Sequence, residues 1–150
     1  IIWWNLIDGW PQFSDAVVDY YGIKKLAYHY IKRSQNPVLL AFDEPEDGEI
    51  ALVCVNGFSV DKTVKYTVTD LTSGVTVLSG EAAASAQSST RVAKLPINDT
   101  ESRFLYIEWE MDGRKYSNHY MTNIKNIDYP EYLSYLERVG YDSFEGFGEK

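Results

Sequence analysis

The chain has 150 residues, enough for one full domain, or a domain with an appendage, and for a buried core without disulfide staples. Its net charge of −8 disfavours nucleic acid, whose binding needs clustered cations, and an anionic membrane surface for the same reason. The single cysteine excludes an internal disulfide framework and a thiolate metal site, no apolar run reaches the roughly 20 residues of a membrane helix, and the 15% aromatic share fits a β-rich fold before it fits a sugar-handling one.

The chain opens on Ile1 and the apolar run IIWWNLI, with no initiating methionine or leader, and so reads as a segment of a longer protein. A short continuous apolar run over residues 1 to 7 predicts a strand buried on both faces. Residues 8 to 22 are rich in turn formers and predict a loop closed by Gly22. Ile23, Leu26, Ala27, Tyr30 and Ile31 fall on one helical face and predict a helix over 23–34. Lys24, Lys25, Lys32 and Arg33 lie off that face, and the last pair suits the negative end of the helix dipole. Pro37 blocks continuation. Strand, loop and helix together make half of a βαβ unit, whose strand needs neighbours from upstream sequence.

Beyond Asn36-Pro37 the apolar residues alternate. Seven strands are predicted near 37–43, 49–57, 63–70, 74–80, 88–95, 103–111 and 114–122. In the clearest, Leu105, Ile107, Trp109 and Met111 point one way and Tyr106, Glu108 and Glu110 the other, with Asp112-Gly113 as a hairpin turn. Seven short strands at this spacing predict a mainly β fold, an antiparallel sandwich of immunoglobulin type. Cys54 is a small core residue in this arrangement, since no disulfide can join the sheets. After Asn123 the chain is Tyr-rich, and Asp128, Pro130 and Gly140 predict the cap, first turn and end of a short helix. The polar tail from Asp142 to Lys150 offers Phe144 and Phe147 as anchors.

No self-contained active site is legible. His29 in the helix and His119 in a strand lack obvious ligand partners, so no metal and no cofactor is expected. No nucleophile-elbow motif accompanies the serines, and no glycine-rich phosphate loop is present. The acidic stretch Asp43 to Glu49 has oxygen ligands suited to calcium, but Pro45 and irregular spacing favour a solvated strand connection. Asn98-Asp99-Thr100 matches the glycosylation sequon, a pattern that is more often a bare turn. The first ten residues stand apart, because they hold Trp3, Trp4 and Trp10 close to Asn5, Asp8 and Gln12. One reading is a buried strand with its loop. The other is a strand end opening onto a sugar, with Trp faces for a pyranose ring and polar groups for its hydroxyls.

The stretch WWNLIDGWPQFSDAVVDYYGIKKLAYHYIKR, residues 3 to 33, resembles the last strand, loop and helix of the catalytic barrel in family 2 glycoside hydrolases, most of all their β-mannosidase-like branch. The resemblance rests on Trp3-Trp4-Asn5-Leu6, Asp8, Trp10-Pro11, Asp19-Tyr20-Tyr21-Gly22 and Ile31-Lys32-Arg33, at matching spacing. The family often has Gln at the position of Asn5 and Asn at that of Ile7. The resemblance implies that residues 1–36 are a strand-loop-helix remnant of a (β/α)8 barrel, 37–124 an immunoglobulin-like sandwich, and 125–150 a helical tail. It implies a retaining mechanism with two carboxyl groups about 5 Å apart. Both belong to barrel strands upstream of Ile1, so no catalytic residue is assigned here and the chain alone is expected to be inactive. Trp4 would form the aromatic wall beneath the sugar. Asp8 would contact substrate or brace neighbouring loops, and Asn5 and Trp10 are further substrate-binding candidates.

The expected partners are the upstream barrel and the parent enzyme's oligosaccharide substrate, with self-association through the exposed N-terminal strand once the barrel is absent. The sequence leaves the compartment open, and the resemblance allows a secreted or periplasmic parent. A competing reading makes the sandwich a carbohydrate-binding module, with Tyr106, Tyr116 or Tyr120 as its platform. A third, a plain adhesion-type domain, conflicts with the first 33 residues.

Overall fold

Strands form where the sequence alternates, and in the computed structural model, which describes residues 4–98, 100–126 and 128–140, they are β1 Val38–Phe42, β2 Glu49–Asn56, β3 Lys62–Asp70, β4 Val75–Ala84, β5 Ser88–Pro96, β6 Arg103–Met111 and β7 Arg114–Thr122. The chain divides into two compact units, Asn36–Tyr135 and Ile1–Gln35 with Leu136–Lys150. All seven strands lie in the first. Every pairing is antiparallel, in a three-stranded sheet ordered β1-β2-β5 and a four-stranded sheet ordered β4-β3-β6-β7. The fold is therefore mainly β, a two-sheet sandwich. In a constant-type immunoglobulin domain the fourth strand edges the first sheet. Here β4 pairs with β3 instead.

The inward residues of both sheets make one core. Val38, Leu40, Ile50, Leu52, Cys54, Val64, Val68, Leu105 and Ile107 are wholly buried within it. Trp109 lies in the same layer, stacked on Tyr116 with ring centroids 5.7 Å apart. Cys54 is a free thiol, and burial pushes its pKa up. Strand β4 runs four residues past its predicted end at 80. Its inward side is Gly80, Ala82 and Ala84, and such residues give a weak strand signal. Pairing with β3 supplies what propensity lacks: Tyr66 lies opposite Gly80, and a Cβ there would come within 3.1 Å of the Tyr66 hydroxyl. The Asp112-Gly113 turn has φ of 53° and 74°, the two left-handed residues of a type I′ hairpin.

Three polar devices tie this layer together. Asn56, buried at the end of β2, donates to the carbonyls of Val60 and Ala84 at 2.9 Å each and accepts from the Phe58 amide at 2.9 Å. It thereby joins one sheet to the end of β4 in the other. At the opposite seam Asn118 of β7 donates to the Leu40 carbonyl of β1 at 3.0 Å. Asp70, at the end of β3, pairs with Arg103 of β6 at 2.9 Å. Burial opposes the Asp70 charge, but the hydrogen bond and charge of Arg103 outweigh it and hold the carboxyl below its ordinary value.

The outer face of β6 and β7 carries a smaller aromatic layer. Phe104 stacks on His119 at 4.8 Å and meets Tyr135 at 5.0 Å. Tyr135 belongs to helix α2, Tyr129–Arg138, whose predicted cap forms: the Glu131 amide donates to Asp128 Oδ1 at 2.9 Å, and Gly140 follows the helix at φ 73°.

The other unit departs from expectation. Of the strand predicted over 1–7, residues 1–3 lie outside the described residues, and the rest makes a single parallel bridge from Ile7 to Val18. A parallel strand needs flanking strands, and here only the short 17–18 segment lies alongside, so Leu6 and Ile7 are exposed. Helix α1 spans Leu26–Ser34, three residues shorter than predicted at its start. Asp19 Oδ1 accepts the amides of Tyr21 and Ile23 at 2.9 and 2.8 Å, which keeps that backbone in a turn. The predicted apolar face is also displaced, since Ala27 and Tyr30 are exposed and His29 is the buried helical residue. Arg33 donates to the Val139 carbonyl at 2.9 Å, which ties the helix to the residues just after α2. Phe144 and Phe147 lie outside the described residues.

Replacing Asn56 by Ala leaves the buried Ala84 carbonyl, and the Val60 carbonyl and Phe58 amide of the following loop, without their partner, and should lower stability by about 2 kcal/mol. Urea denaturation of both proteins measures the difference. A loss below about 0.5 kcal/mol would show that the clasp is dispensable.

Candidate functional site

Residues Asn5 to Lys25 fold back on themselves in three short passes. Val18 bridges Ile7 on one side and Lys24 on the other. The Val18 amide donates to the Leu6 carbonyl at 3.0 Å, the Asp8 amide to the Val18 carbonyl at 3.1 Å, and the Lys25 amide to the Val17 carbonyl at 2.9 Å. The Trp4–Asn5 peptide is cis.

Asp8 is the centre of this arrangement. It is 3% exposed, and its carboxylate accepts from three side chains. Ser14 Oγ donates to Oδ1, Gln12 Nε2 to Oδ1 at 3.2 Å, and Lys25 Nζ to Oδ2 at 3.0 Å. Lys25 Nζ also donates to the Ser14 carbonyl at 3.1 Å. The hydrogen bond from Ser14 and then that from Lys25 hold the Asp8 carboxyl below its ordinary value, against burial. Its oxygens are thus committed to the loop that contains it.

The aromatic candidates are placed differently. Trp4 is 78% exposed and Trp10 is 64% exposed, one on each side of Asp8 in sequence. Phe13, Tyr20 and Tyr21 are also exposed. Asn5 is half-buried and contributes its carbonyl to Val17. Trp3 lies outside the described residues. The unit therefore presents flat aromatic faces to solvent from a loop anchored by a buried carboxylate paired with a partly exposed lysine. Ser14 and Lys25 went unnoticed in the sequence because nothing in their spacing marks contacts 6 and 17 residues from Asp8.

The sandwich offers less. The stretch Asp43 to Glu49 is a small hairpin: Glu46 and Glu49 exchange backbone hydrogen bonds of 2.9 and 3.0 Å around Asp47-Gly48, at φ 52° and 77°. Its carboxylates line a cleft of about 360 Å³ together with Arg91 and Lys94. Lys94 pairs with Glu49 at 2.7 Å, and Arg91 lies 3.8 and 3.9 Å from Asp43 and Glu46. Among the described residues no cluster of His, Cys, Asp and Glu is placed to hold a metal ion. Asn98 is exposed and accepts from the Thr100 amide and hydroxyl at 3.0 and 2.8 Å, while Asp99 lies outside the described residues. The tyrosines named for the competing platform reading lie on different faces. Tyr116 and Tyr120 pack on the core between the sheets, whereas Tyr106 is on the opposite face of β6 from Leu105 and Ile107, because neighbours in a strand alternate. Tyr120 is half-buried, and burial, with the nearby charge of Glu44, pushes its pKa up.

No protein-family model matches the chain, and no curated protein sequence matches it. Among solved structures it is similar to the crystal structure of a β-D-mannosidase from Dictyoglomus thermophilum, with a TM-score of 0.59 and 21% identity over 78% of this chain. The chain spans 15% of the length of that protein. At this identity the likeness is one of fold.

A carboxyl with a lowered folded value stabilises its surroundings above the ordinary aspartate range and loses that contribution only as pH falls through the folded value. Asp8 should therefore stay ionised through pH 5, with a midpoint below the ordinary value of about 3.9. Lys25→Met should move the midpoint upward. A carboxyl-carbon NMR titration measures both, and a wild-type midpoint above about 4.5 would contradict the lock.

Proposed function

We propose that this chain is the C-terminal part of a larger retaining glycoside hydrolase of β-mannosidase or β-galactosidase type. In this reading residues 1–36 complete the sugar-facing end of a catalytic barrel, 37–124 form a structural accessory sandwich, and 125–150 form a helical tail. The observation that carries it is the exposure of Trp4 and Trp10 on a loop whose one buried carboxylate is already paired. Aromatic faces held at fixed positions stack on the apolar side of a pyranose, and the fold likeness to a β-D-mannosidase agrees. Leu6 and Ile7, exposed beside Trp4, supply the apolar contact that an upstream barrel would cover.

The chemistry needs a nucleophile and an acid/base about 5 Å apart. Asp8 serves neither role, because Ser14, Gln12 and Lys25 occupy its oxygens. Trp4, with Asn5 and Trp10, acts in binding: a wall under the sugar fixes its ring while upstream carboxylates react. Interactions of this kind raise the rate where they strengthen toward the transition state.

The test uses the full parent enzyme and an aryl β-mannoside or β-galactoside. Trp4→Ala should lower kcat/KM by about tenfold or more, a loss of roughly 1.4 kcal/mol or greater in transition-state binding. Unchanged efficiency removes Trp4 from the site. The 150-residue chain alone should show no turnover, and sustained hydrolysis that co-purifies with it would overturn the reading.

A further inference from the structure

We propose that Lys25 is a positioning residue for the aromatic sugar wall, acting through Asp8 on the loop that carries Trp4 and Trp10. The inference rests on the glycosidase reading for the identity of the ligand, but its geometric part stands on the chain itself.

Lys25 sits where two kinds of structure meet. It is the N-cap residue of α1, and its carbonyl accepts the Tyr28 amide at 3.0 Å, so its backbone is fixed by the first turn of a helix. Its side chain leaves the helix end and reaches Asp8 Oδ2 at 3.0 Å and the Ser14 carbonyl at 3.1 Å. Asp8 and Lys25 belong to the two outer passes of the three-pass patch, with Val17 and Val18 between them. The ion pair therefore closes across the middle pass. Trp4 precedes the pinned segment Asn5–Asp8, and Trp10 follows it by two residues.

Among the described residues the backbone hold on this segment is slight. The pairing of residues 5 to 8 consists of bonds at 3.4, 3.0 and 3.1 Å, and the side chains of Leu6 and Ile7 are exposed. The apolar contact on the middle pass is limited to Ala16, Val17 and Val18, so the buried Asp8 carboxylate and its cation add a second hold on the loop. Asp8 cannot be left without its cation, since a buried carboxylate without compensation draws in water or a proton, and either response loosens the segment. A site that must hold a sugar ring is sensitive to such loosening, because small displacements of a positioned group cost large factors in rate. Lys25 touches no substrate in this arrangement, and the lowered pKa of Asp8 agrees with it.

The test compares Lys25→Met with Lys25→Arg. In the chain itself, Lys25→Met should speed amide hydrogen exchange at Asp8 and Val18 by at least tenfold while Leu105 and Ile107 in β6 stay unchanged. Lys25→Arg should restore the slow exchange. In the parent enzyme Lys25→Met should lower kcat/KM at least tenfold, mainly through kcat, again with rescue by Arg. Unchanged exchange at Asp8 and Val18 overturns the positioning role. So does normal kcat/KM in Lys25→Met alongside a damaged Trp4→Ala enzyme. If Trp4→Ala is itself normal, the glycosidase reading fails, and the exchange data still decide whether Lys25 fixes the loop.

Discussion

The sandwich depends on the alignment of two sheets whose facing surfaces are almost wholly apolar. Apolar burial is non-directional, so it drives the sheets together without choosing their offset. Asn56 supplies direction. Its amide is buried and makes three hydrogen bonds, one to the Ala84 carbonyl at the end of β4 and two to the Val60 carbonyl and Phe58 amide of the loop after β2. A buried amide is tolerated only where its partners are present, which makes one relative position of β2 and β4 far better than its neighbours. Asn118 does the same with one bond at the β1–β7 seam. The Asp70–Arg103 pair fixes the two central strands of the larger sheet at their common end.

The N-terminal unit solves a similar problem with less apolar material. Its buried residues include Ala16, Val17, Val18, Leu136 and Val139, while Trp4, Trp10, Phe13, Tyr20 and Tyr21 of the same unit are exposed. Order around residues 5 to 8 comes from polar closure: one carboxylate, one ammonium, one hydroxyl and one amide. Such a lock tolerates exposed neighbours, because it does not need them for its own stability. That leaves Trp4 and Trp10 available for contact with something else.

Strands were legible wherever both faces carried signal. In β6, Leu105, Ile107, Trp109 and Met111 alternate with polar residues and end on Asp-Gly, so boundaries and facing came out as predicted. The far half of β4 was not legible, since Ala82 and Ala84 carry no strand preference and are held by their partners in β3. The tyrosines misled because exposure was assigned without a register: Tyr116 pairs with Trp109 and so shares its inward face. In the N-terminal unit an apolar run was read as a strand, but a run specifies burial only if something lies beside it. Helix α1 started late because Asp19 captured two amides, a local competition that apolar periodicity does not register. Asp8 stands out as a polar residue among tryptophans, but its partner Lys25 is brought to it by folding and not by spacing.

The use made of carboxylates across the chain bears on its proposed role. A glycosidase acid must hold its proton near the working pH, which requires a raised pKa, with an ionised partner opposite. Asp8 and Asp70 are displaced the other way, each held ionised by a cation that shares its structural task. Asp19 is bound to two amides, Asp61 to the Ala86 amide at 2.8 Å, and Asp128 to its helix. Asp112 and Glu49 each face a lysine. These acidic side chains build turns, caps and locks. The exposed residues near Asp8 include the aromatic Trp4, Trp10 and Phe13, whose faces can bind a sugar ring but cannot transfer a proton or form a glycosyl bond. Exposed aromatic surface beside a carboxylate that is already paired is what the proposed wall of a shared site requires.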